Sequence, residues 1–382
     1  MNILLTGARA PYTLDLGRRL SALRHNIYYA DSYYLALSRF SNTGRAFIKL
    51  PSPRYKTESF VQTLKDSLIK FDIDCLIPTC EEIFYIAQNR SRLPKNVNIF
   101  CDSFDTLNLL HNKYSFIKLA KKISHKNIKI PNTILINKTS DIEDFIDHDK
   151  NWILKPVYSR FGESVLSLND LKQKKLPQIT VENPWIAQEY IKGEEYCSYT
   201  VIQHGNIKAH TVYKSQYRAG GASTFFEHYQ ISVLEKWIEK LVTNMGFHGQ
   251  IAFDFIKTEE GYYYPIECNP RMTSGFHILC QSSHLDTVYI DQESERIYPL
   301  QKANKIALAM KIFNRKNNTQ FKEDFRRSRD VISSPTDRFP EWGQYLSYSG
   351  LLLKALFKQI SPIEASVEDI AFSPLIIADS DH

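Results

Sequence analysis

The sequence predicts an α/β region followed by an α+β region. Three observations carry this. Over residues 1–110, short apolar runs alternate with stretches of helical periodicity, which implies a parallel sheet covered on both faces. From 111 to 282 the runs pair across short turns, as antiparallel hairpins do, with helices between them. Beyond 283 the signal is moderately helical and no further sheet is evident. The chain therefore divides at 1–110, 111–185, 186–282 and 283–382.

The elements follow in order. Asn2–Thr6 is an apolar run ending at Gly7. Leu14, Leu16, Leu20 and Leu23 recur at helical spacing, and Ile27–Ala30 runs into Asp31, completing a β–α–β opening. Phe47–Leu50 precedes the loop Pro51-Ser52-Pro53. Residues 58–70 form an amphipathic helix, Cys75–Pro78 a buried strand, Glu81 onward a helix, and Asn98–Phe100 a short strand. Past 111 a helix is expected at 112–123, a strand at Thr133–Ile136, and a short acidic helix at Asp141–Asp147. Strand Trp152–Lys155 should meet Val165–Leu168 across a turn, and Trp185–Glu189 is a further strand. A hairpin at 196–203/207–213 turns at His204-Gly205-Asn206, a helix covers 232–245, and a second hairpin pairs 250–257 with 262–269. In the tail the helical signal is strongest at 343–358.

Composition narrows the function classes. Hydrophobic residues make up 43% and charged residues 24%, enough for a sizeable core on a soluble chain. The net charge of +6 arises from 48 basic and 42 acidic residues interspersed along the chain, so it describes a solvated surface and gives no support to a nucleic-acid partner. The six cysteines form no C-x-x-C pair and fit neither a zinc nor a disulfide framework. With no leader-like segment and no apolar run near the ~20 residues a span needs, a cytoplasmic protein without a membrane partner is expected.

The loop Thr6–Pro11 sits where a dinucleotide fold carries its phosphate loop, with Asp31 where a ribose acid would stand. Such a loop uses three glycines and only Gly7 is present, so a Rossmann-like scaffold without a dinucleotide is expected. Arg9, at the mouth of a helix, could hold a substrate carboxylate or phosphate, or be a surface arginine. Glu81 and Glu82, beyond the end of another parallel strand, could hold a substrate ammonium group or simply complement a helix dipole.

The strongest signal is Ala252-Phe253-Asp254-Phe255 paired with Pro265-Ile266-Glu267-Cys268-Asn269-Pro270-Arg271. Glu267 and Asn269 are two apart and share a strand face. With Thr258–Gly261 as the turn, Asp254 lies opposite Pro265 and diagonal to Glu267. Asp254, Glu267 and Asn269 then share one face, and Phe253, Phe255, Ile266 and Cys268 the other. Two carboxylates and an amide oxygen suit Mg²⁺, which completes its shell with water and substrate phosphate.

At these residues the chain resembles the ATP-grasp superfamily, especially its carbamoyl-phosphate-synthetase-like and biotin-carboxylase-like carboxylate–amine ligases, over roughly residues 1–282. The resemblance implies a Rossmann-like N-terminal parallel-sheet domain followed by a two-lobed ATP-grasp domain with antiparallel sheets. The small lobe would be 111–185, the C-terminal lobe 186–282, and 283–382 an extension. It implies ATP and two Mg²⁺ ions, with Mn²⁺ as an alternative. Asp254 and Glu267 would bind metal, Glu267 bridging the two ions, and Asn269 would hold the second. Arg271 would lie against the transferring phosphoryl group, with Lys113 and Lys155 as phosphate-binding lysines. Arg271 and Lys155 are the charges expected to act in catalysis. The loop Tyr158–Ser164, with Ser159 and Gly162, resembles the phosphate-covering loop, although it has one glycine where the family has several and carries Arg160 besides. Gln188, Glu189, Tyr190 and Ile191 resemble the adenine-binding hinge. Glu195 would meet the ribose, Glu194 pointing to the other face. The loop 217–223 resembles the acceptor-side loop, where Arg218 could hold a substrate carboxylate.

The activity implied is ATP-dependent activation of a carboxylate as an acyl phosphate, then coupling to an amine with release of ADP and phosphate. The alternatives are a carboxylase, a phosphotransferase acting on another small acceptor, or a nucleotide-binding regulatory module, which the intact charged set argues against. Small carboxylate and amine molecules are the expected partners. Glu81, Glu82 and His210 are candidate bases for the amine step. In the tail, Phe339-Pro340-Glu341-Trp342 opens a helix carrying Leu346, Leu351, Leu352, Leu353 and Leu356, which is expected to pack on the core or form a homodimer contact.

Overall fold

The computed structural model describes residues 1–142, 151–159, 165–167, 178–314 and 319–373. Strands β1 (Asn2–Leu5), β2 (Asn26–Asp31), β3 (Gly44–Lys49), β4 (Cys75–Ile77) and β5 (Asn98–Ile99) form one sheet in the order β3-β2-β1-β4-β5, parallel throughout. Alternation along the strands loads both faces. Leu4 and Leu76 pack with Phe60 and Leu64 of helix Thr57–Lys70, whereas Ile3, Leu5 and Ile27 pack with Leu16 and Leu20 of helix Pro11–Ala22. Gly7 has φ +70°, and a Cβ there would lie 2.4 Å from Thr79 Oγ1. The glycine is thus required by the turn that leaves β1.

The helix expected at 112–123 is Lys113–Ala120, and a second helix, Phe104–His111, comes directly before it. Phe104–His111 ends at Asn112, whose backbone is extended (φ −67°, ψ 109°) and whose side chain accepts from the Ser115 N–H at 2.9 Å. An asparagine in that conformation starts a new helix, Lys113–Ala120, rather than continuing the old one.

Strands β6 (Thr133–Ile136), β7 (Trp152–Pro156), β8 (Leu166–Ser167) and β9 (Trp185–Glu189) form an antiparallel sheet, β6-β9-β7-β8, over a core that includes Ile136, Leu154 and Trp185. Of the acidic helix expected at Asp141–Asp147, the described part belongs to a short 3₁₀ turn, Thr139–Ile142, and 143–147 lie outside the described residues. Next come β10 (Glu194–Gln203) and β11 (Asn206–Lys214), then a small hairpin of β12 (Arg218–Ala219) and β13 (Ala222–Ser223), then β14 (Phe225–Phe226). After helix Ser232–Met245, β15 (Gly249–Lys257) and β16 (Tyr263–Asn269) complete an antiparallel sheet, β11-β10-β15-β16. Trp237, Ile238 and Leu241 of that helix pack in one core with Phe253 and Phe255.

The tail is woven into what precedes it. Strand β17 (Asn304–Lys305) pairs with β14, and β18 (Arg329–Asp330) pairs with β17. Helix Phe339–Lys358 then lies against the first domain by its small-residue face. A Cβ on Gly343 would sit 2.4 Å from the Phe40 ring, and Tyr33 Oη donates to the Ser347 carbonyl at 2.7 Å. Its outer face leaves Trp342 (74%), Leu356 (73%) and Phe357 (83%) exposed. Residues 361–372 return to the first sheet, where Phe372 stacks on Phe84 with ring centroids 4.7 Å apart. Among the described residues no helix is long and apolar enough to cross a membrane.

Candidate active site

The hairpin β15/β16 positions the acids, in a register one bulge away from a regular ladder. Lys257 pairs with Tyr263 and Phe255 with Pro265, but Asp254 pairs with Glu267 and Ala252 with Asn269. Asp254 therefore faces Glu267 directly, where simple counting set it opposite Pro265; the bulge accounts for one residue of the difference and the turn, from which Lys257 pairs with Tyr263, for the other. β16 is an edge strand and Pro265 brings no N–H to the ladder, the situation in which a bulge is tolerated. Ile266, the extra residue, lines the cavity instead of joining Phe253, Phe255 and Cys268 on the apolar side.

Around this bulge the charged groups converge. Asn269 Nδ2 lies 3.4 Å from both Asp254 Oδ2 and Glu267 Oε1. The Asn112 break sets Lys113 at the first position of its helix. Its Nζ donates to the Ser159 carbonyl at 2.9 Å and lies 3.4 Å from Glu267 Oε2. Lys155, near the end of β7, is 3% exposed. Arg271 donates from Nη2 to Asn269 Oδ1 at 3.1 Å, and its Nε lies 3.5 Å from Glu81 Oε1. Asp254, Glu267, Asn269, Arg271, Lys113, Lys155, Ser159, Glu81, Glu195, Arg218 and Arg9 all line one cavity of about 580 Å³.

The electrostatics distinguish the two acids. Burial and the adjacent Glu267 charge push Asp254 upward. For Glu267, burial works in the same direction but is outweighed by Lys113 and Lys155, which hold it low. Burial, aided by the Lys113 charge, lowers Lys155 to about 8. Two opposed carboxylates fit a hard divalent cation, while the Asn269 amide turns its nitrogen to them and its oxygen to Arg271. Among the described residues no cluster of three or more His, Cys, Asp or Glu side chains suited to a metal occurs, so oxygens from phosphate and water would have to complete the shell.

Other expected residues are placed differently. Arg9 is no free cation: it binds Asp31 (2.5 Å), Asp369 (2.8 Å) and the Ser366 carbonyl (2.7 Å), with its side chain 8% exposed. Glu82 does not line the cavity. Its Oε1 accepts from the Thr6 hydroxyl at 2.7 Å and from the Thr79 and Cys80 N–H groups at 3.1 Å, tying the ends of two strands together. Glu195 and Arg218 are ion-paired with each other. Gln188, Glu189, Tyr190 and Ile191 lie at the end of β9, outside the cavity lining. Gln188 is fully buried on Thr133, and the Glu189 carboxylate accepts from Asn132. His210 is buried on Thr200 and also away from the cavity, and burial carries its pKa down to about 3. Gly162 and Arg160 lie outside the described residues. Sequence reasoning missed Tyr12, Tyr33, Ser347, Leu351, Ser366, Val367 and Ile370, which wall the end of the cavity remote from the acids. Nothing local in the sequence signals them, because the tail reaches the cavity only through the fold. Cys197, paired with Asp254 on β10, could have been found by extending the strand pairing.

Residues 111–275 match the family described as ATP-grasp domain. Several solved structures share the fold at 14% identity. The N5-carboxyaminoimidazole synthetase from Staphylococcus aureus in complex with ADP superposes with a TM-score of 0.62, covering 91% of this chain and 96% of that one. An L-amino acid ligase from Bacillus licheniformis (TM-score 0.57, 76% and 72% covered) and a biotin carboxylase from Campylobacter jejuni (0.57, 75% and 69%) are similar too. An uncharacterised protein of Methanocaldococcus jannaschii is 25% identical over 220 residues, which is 56% of this chain and 53% of that one. The chain thus matches about half the length of this curated relative. The ATP-grasp match includes Lys113, Lys155 and the whole acid hairpin through Arg271.

Proposed function

We propose that this ATP-grasp protein is an ATP- and Mg²⁺-dependent ligase that activates a substrate carboxylate as an acyl phosphate and couples it to an amine. One observation carries the reading: Asp254, Glu267 and Asn269 meet across a bulged hairpin, with Lys113, Lys155 and Arg271 converging on them in one cavity. The similarity to an L-amino acid ligase and to a synthetase solved with ADP supports the same class.

Asp254, Glu267 and Asn269 would hold one or two Mg²⁺ ions, with Mn²⁺ able to stand in, and these supply charge neutralisation to the triphosphate. Lys113 and Lys155 hold phosphate oxygens. Arg271 orients the substrate carboxylate and neutralises the transferring phosphoryl group. The carboxylate is already ionised near neutral pH, so its attack on the γ-phosphate needs no base. Of Glu81, Glu82 and His210, Glu81 alone lines the cavity, and it is the group we assign to the amine. The strand end Gln188–Ile191 serves the adenine. Nucleotide entering the cleft exchanges the Glu195–Arg218 pair for ribose hydroxyls on Glu195 and a substrate anion on Arg218.

The outer face of helix Phe339–Lys358 is assigned to a second copy of the chain. At about 150–250 Å² per aromatic side chain, the exposed fractions of Phe339, Trp342 and Phe357 leave roughly 340–570 Å² of apolar surface, to which the exposed Leu346, Leu353 and Leu356 add. A stable interface needs about 800 Å² per partner. Lys354 and Lys358 are bound to Glu368 and so supply few charges for an anionic membrane. The six cysteines are free thiols, which agrees with a reducing, cytoplasmic setting.

The chemistry is tested by incubating the protein with ATP, Mg²⁺, hydroxylamine and a panel of small carboxylic acids. Stoichiometric ADP and hydroxamate support the acyl phosphate. Phosphate release that requires bicarbonate and gives no hydroxamate would instead select a carboxylase.

A further inference from the structure

The cavity end remote from Asp254 and Glu267 carries no free charge. Arg9, the cation on that wall, is enclosed by Asp31 and Asp369, whose side chains are 1% and 10% exposed. The hydroxyls of Tyr12, Tyr33 and Ser366 around it are bonded within the protein. Tyr12 Oη bonds Cys80 Sγ at 3.1 Å, Tyr33 Oη donates to the Ser347 carbonyl, and Ser366 Oγ donates to the Ile363 carbonyl at 2.6 Å. The Cys80 thiol, its pKa pushed up to about 12 by burial, is neutral. What remains facing the space are ring faces and aliphatic groups: Pro11, Tyr12 and Tyr33 from the first domain, Leu351, Val367 and Ile370 from the tail.

From this closed, internally satisfied wall we infer that the pocket takes a substrate with an uncharged, apolar body, and that Leu351 and Val367 of the tail set the size it accepts. The inference rests on the ligase reading above for the substrate's other end, a carboxylate turned toward Arg271. A charged body would lose its hydration here, and Arg9 is already neutralised by two acids. The tail's position on the wall does not depend on the exposed outer face of its helix, since Leu351 and Val367 point from a different side of the segment into the cavity.

The test is calorimetric binding to the full chain with Mg²⁺ and a non-hydrolysable ATP analogue, using L-leucine, L-phenylalanine, L-glutamate and L-arginine as probes. L-leucine or L-phenylalanine should bind at least roughly tenfold more tightly than the charged pair. Val367→Trp and Leu351→Trp should weaken L-phenylalanine binding at least about tenfold while nucleotide affinity stays within about twofold. Val367→Ala should shift preference toward the larger probe, which covers the case in which a tryptophan variant does not fold. Equal or tighter binding of L-glutamate or L-arginine overturns the inference. So does binding of no apolar probe, or an unchanged preference in Val367→Ala. Hydroxamate formation separates this from the parent reading. Apolar probes that bind but never yield hydroxamate refute the ligase and leave the pocket standing. Hydroxamate from charged acids alone refutes the pocket and leaves the ligase.

Discussion

Replacing Arg9 with methionine removes the one cation held between Asp31 and Asp369. In the intact protein its guanidinium meets Asp31 Oδ1 at 2.5 Å, Asp369 Oδ1 at 2.8 Å and Asp369 Oδ2 at 2.9 Å. Without it, Asp31 keeps only backbone N–H donors, from residue 9 at 2.8 Å and Tyr33 at 2.7 Å. Asp369 keeps the Ser32 hydroxyl and Lys354. Asp31 is then left without a cation and Asp369 with Lys354 alone, a loss of about 3–5 kcal/mol. Asp369→Asn should cost less, about 1–3 kcal/mol, because Asp31 still neutralises Arg9. The pH dependence has a definite sign. Burial works to raise Asp369, but Arg9 outweighs it and holds the carboxyl below the ordinary range. The pair's contribution is therefore full above about pH 4 and lost as pH falls through the lowered folded value. In Arg9→Met the charge that holds Asp369 low is gone, so the deficit should be largest near pH 7 and shrink toward pH 3. Urea unfolding of both variants and the parent at pH 7 and pH 4, followed by tryptophan fluorescence, reads this directly. A surface arginine would change stability by about 0.5 kcal/mol or less. If Arg9→Met unfolded like the parent and only a substrate KM rose, Arg9 would be a free substrate-binding cation and the account of the remote wall would fail.

Glu267→Gln should lower single-turnover ADP formation by about 10²–10³-fold with unchanged circular dichroism; near-normal turnover would remove Glu267 from the metal site. Asp254→Asn should shift half-saturating Mg²⁺ upward in the same assay, and an overlapping titration curve would contradict the assignment. Gly7→Ala places a Cβ 2.4 Å from Thr79 Oγ1 at φ +70°, and should destabilise by about 1–3 kcal/mol in denaturant titration. Leu353→Glu with Leu356→Glu should turn a dimer into a monomer in sedimentation velocity. A parent that already sediments as a monomer at micromolar concentration defeats that interface.

Where periodicity is the only information needed, the chain is readable. The helix expected at 232–245 is the helix found, Ser232–Met245, because its apolar residues repeat on one face and Gly246 (φ +60°) stops it. The strands of the first sheet are likewise where the apolar runs place them. Reading fails where one residue's backbone or hydrogen-bonding chemistry overrides a pattern. Helix Phe104–His111 goes unread because Asn112 caps the next helix directly after it. Near Pro265, one extra residue, Ile266, shifts the pairing of every residue beyond it. Neither disturbance alters the hydrophobic count, so neither shows in it.

The site divides along the same line. Asp254, Glu267, Asn269 and Arg271 were legible because one hairpin carries them all and strand alternation alone brings their side chains together. For Arg9 and Glu82 the sequence left two readings open, because decisive partners lie far along the chain: Asp369 is 360 residues beyond Arg9, and Thr6 lies 76 before Glu82. A charge at the mouth of a helix looks available until the segment that neutralises it is known. Here that segment is the tail, which also brings Val367 and Ile370 to the cavity. The contact that withdraws Arg9 from the substrate therefore also makes the wall apolar. A homologue sharing the acid hairpin but lacking an acid at position 369 should have an available cation in this pocket and favour an anionic substrate body.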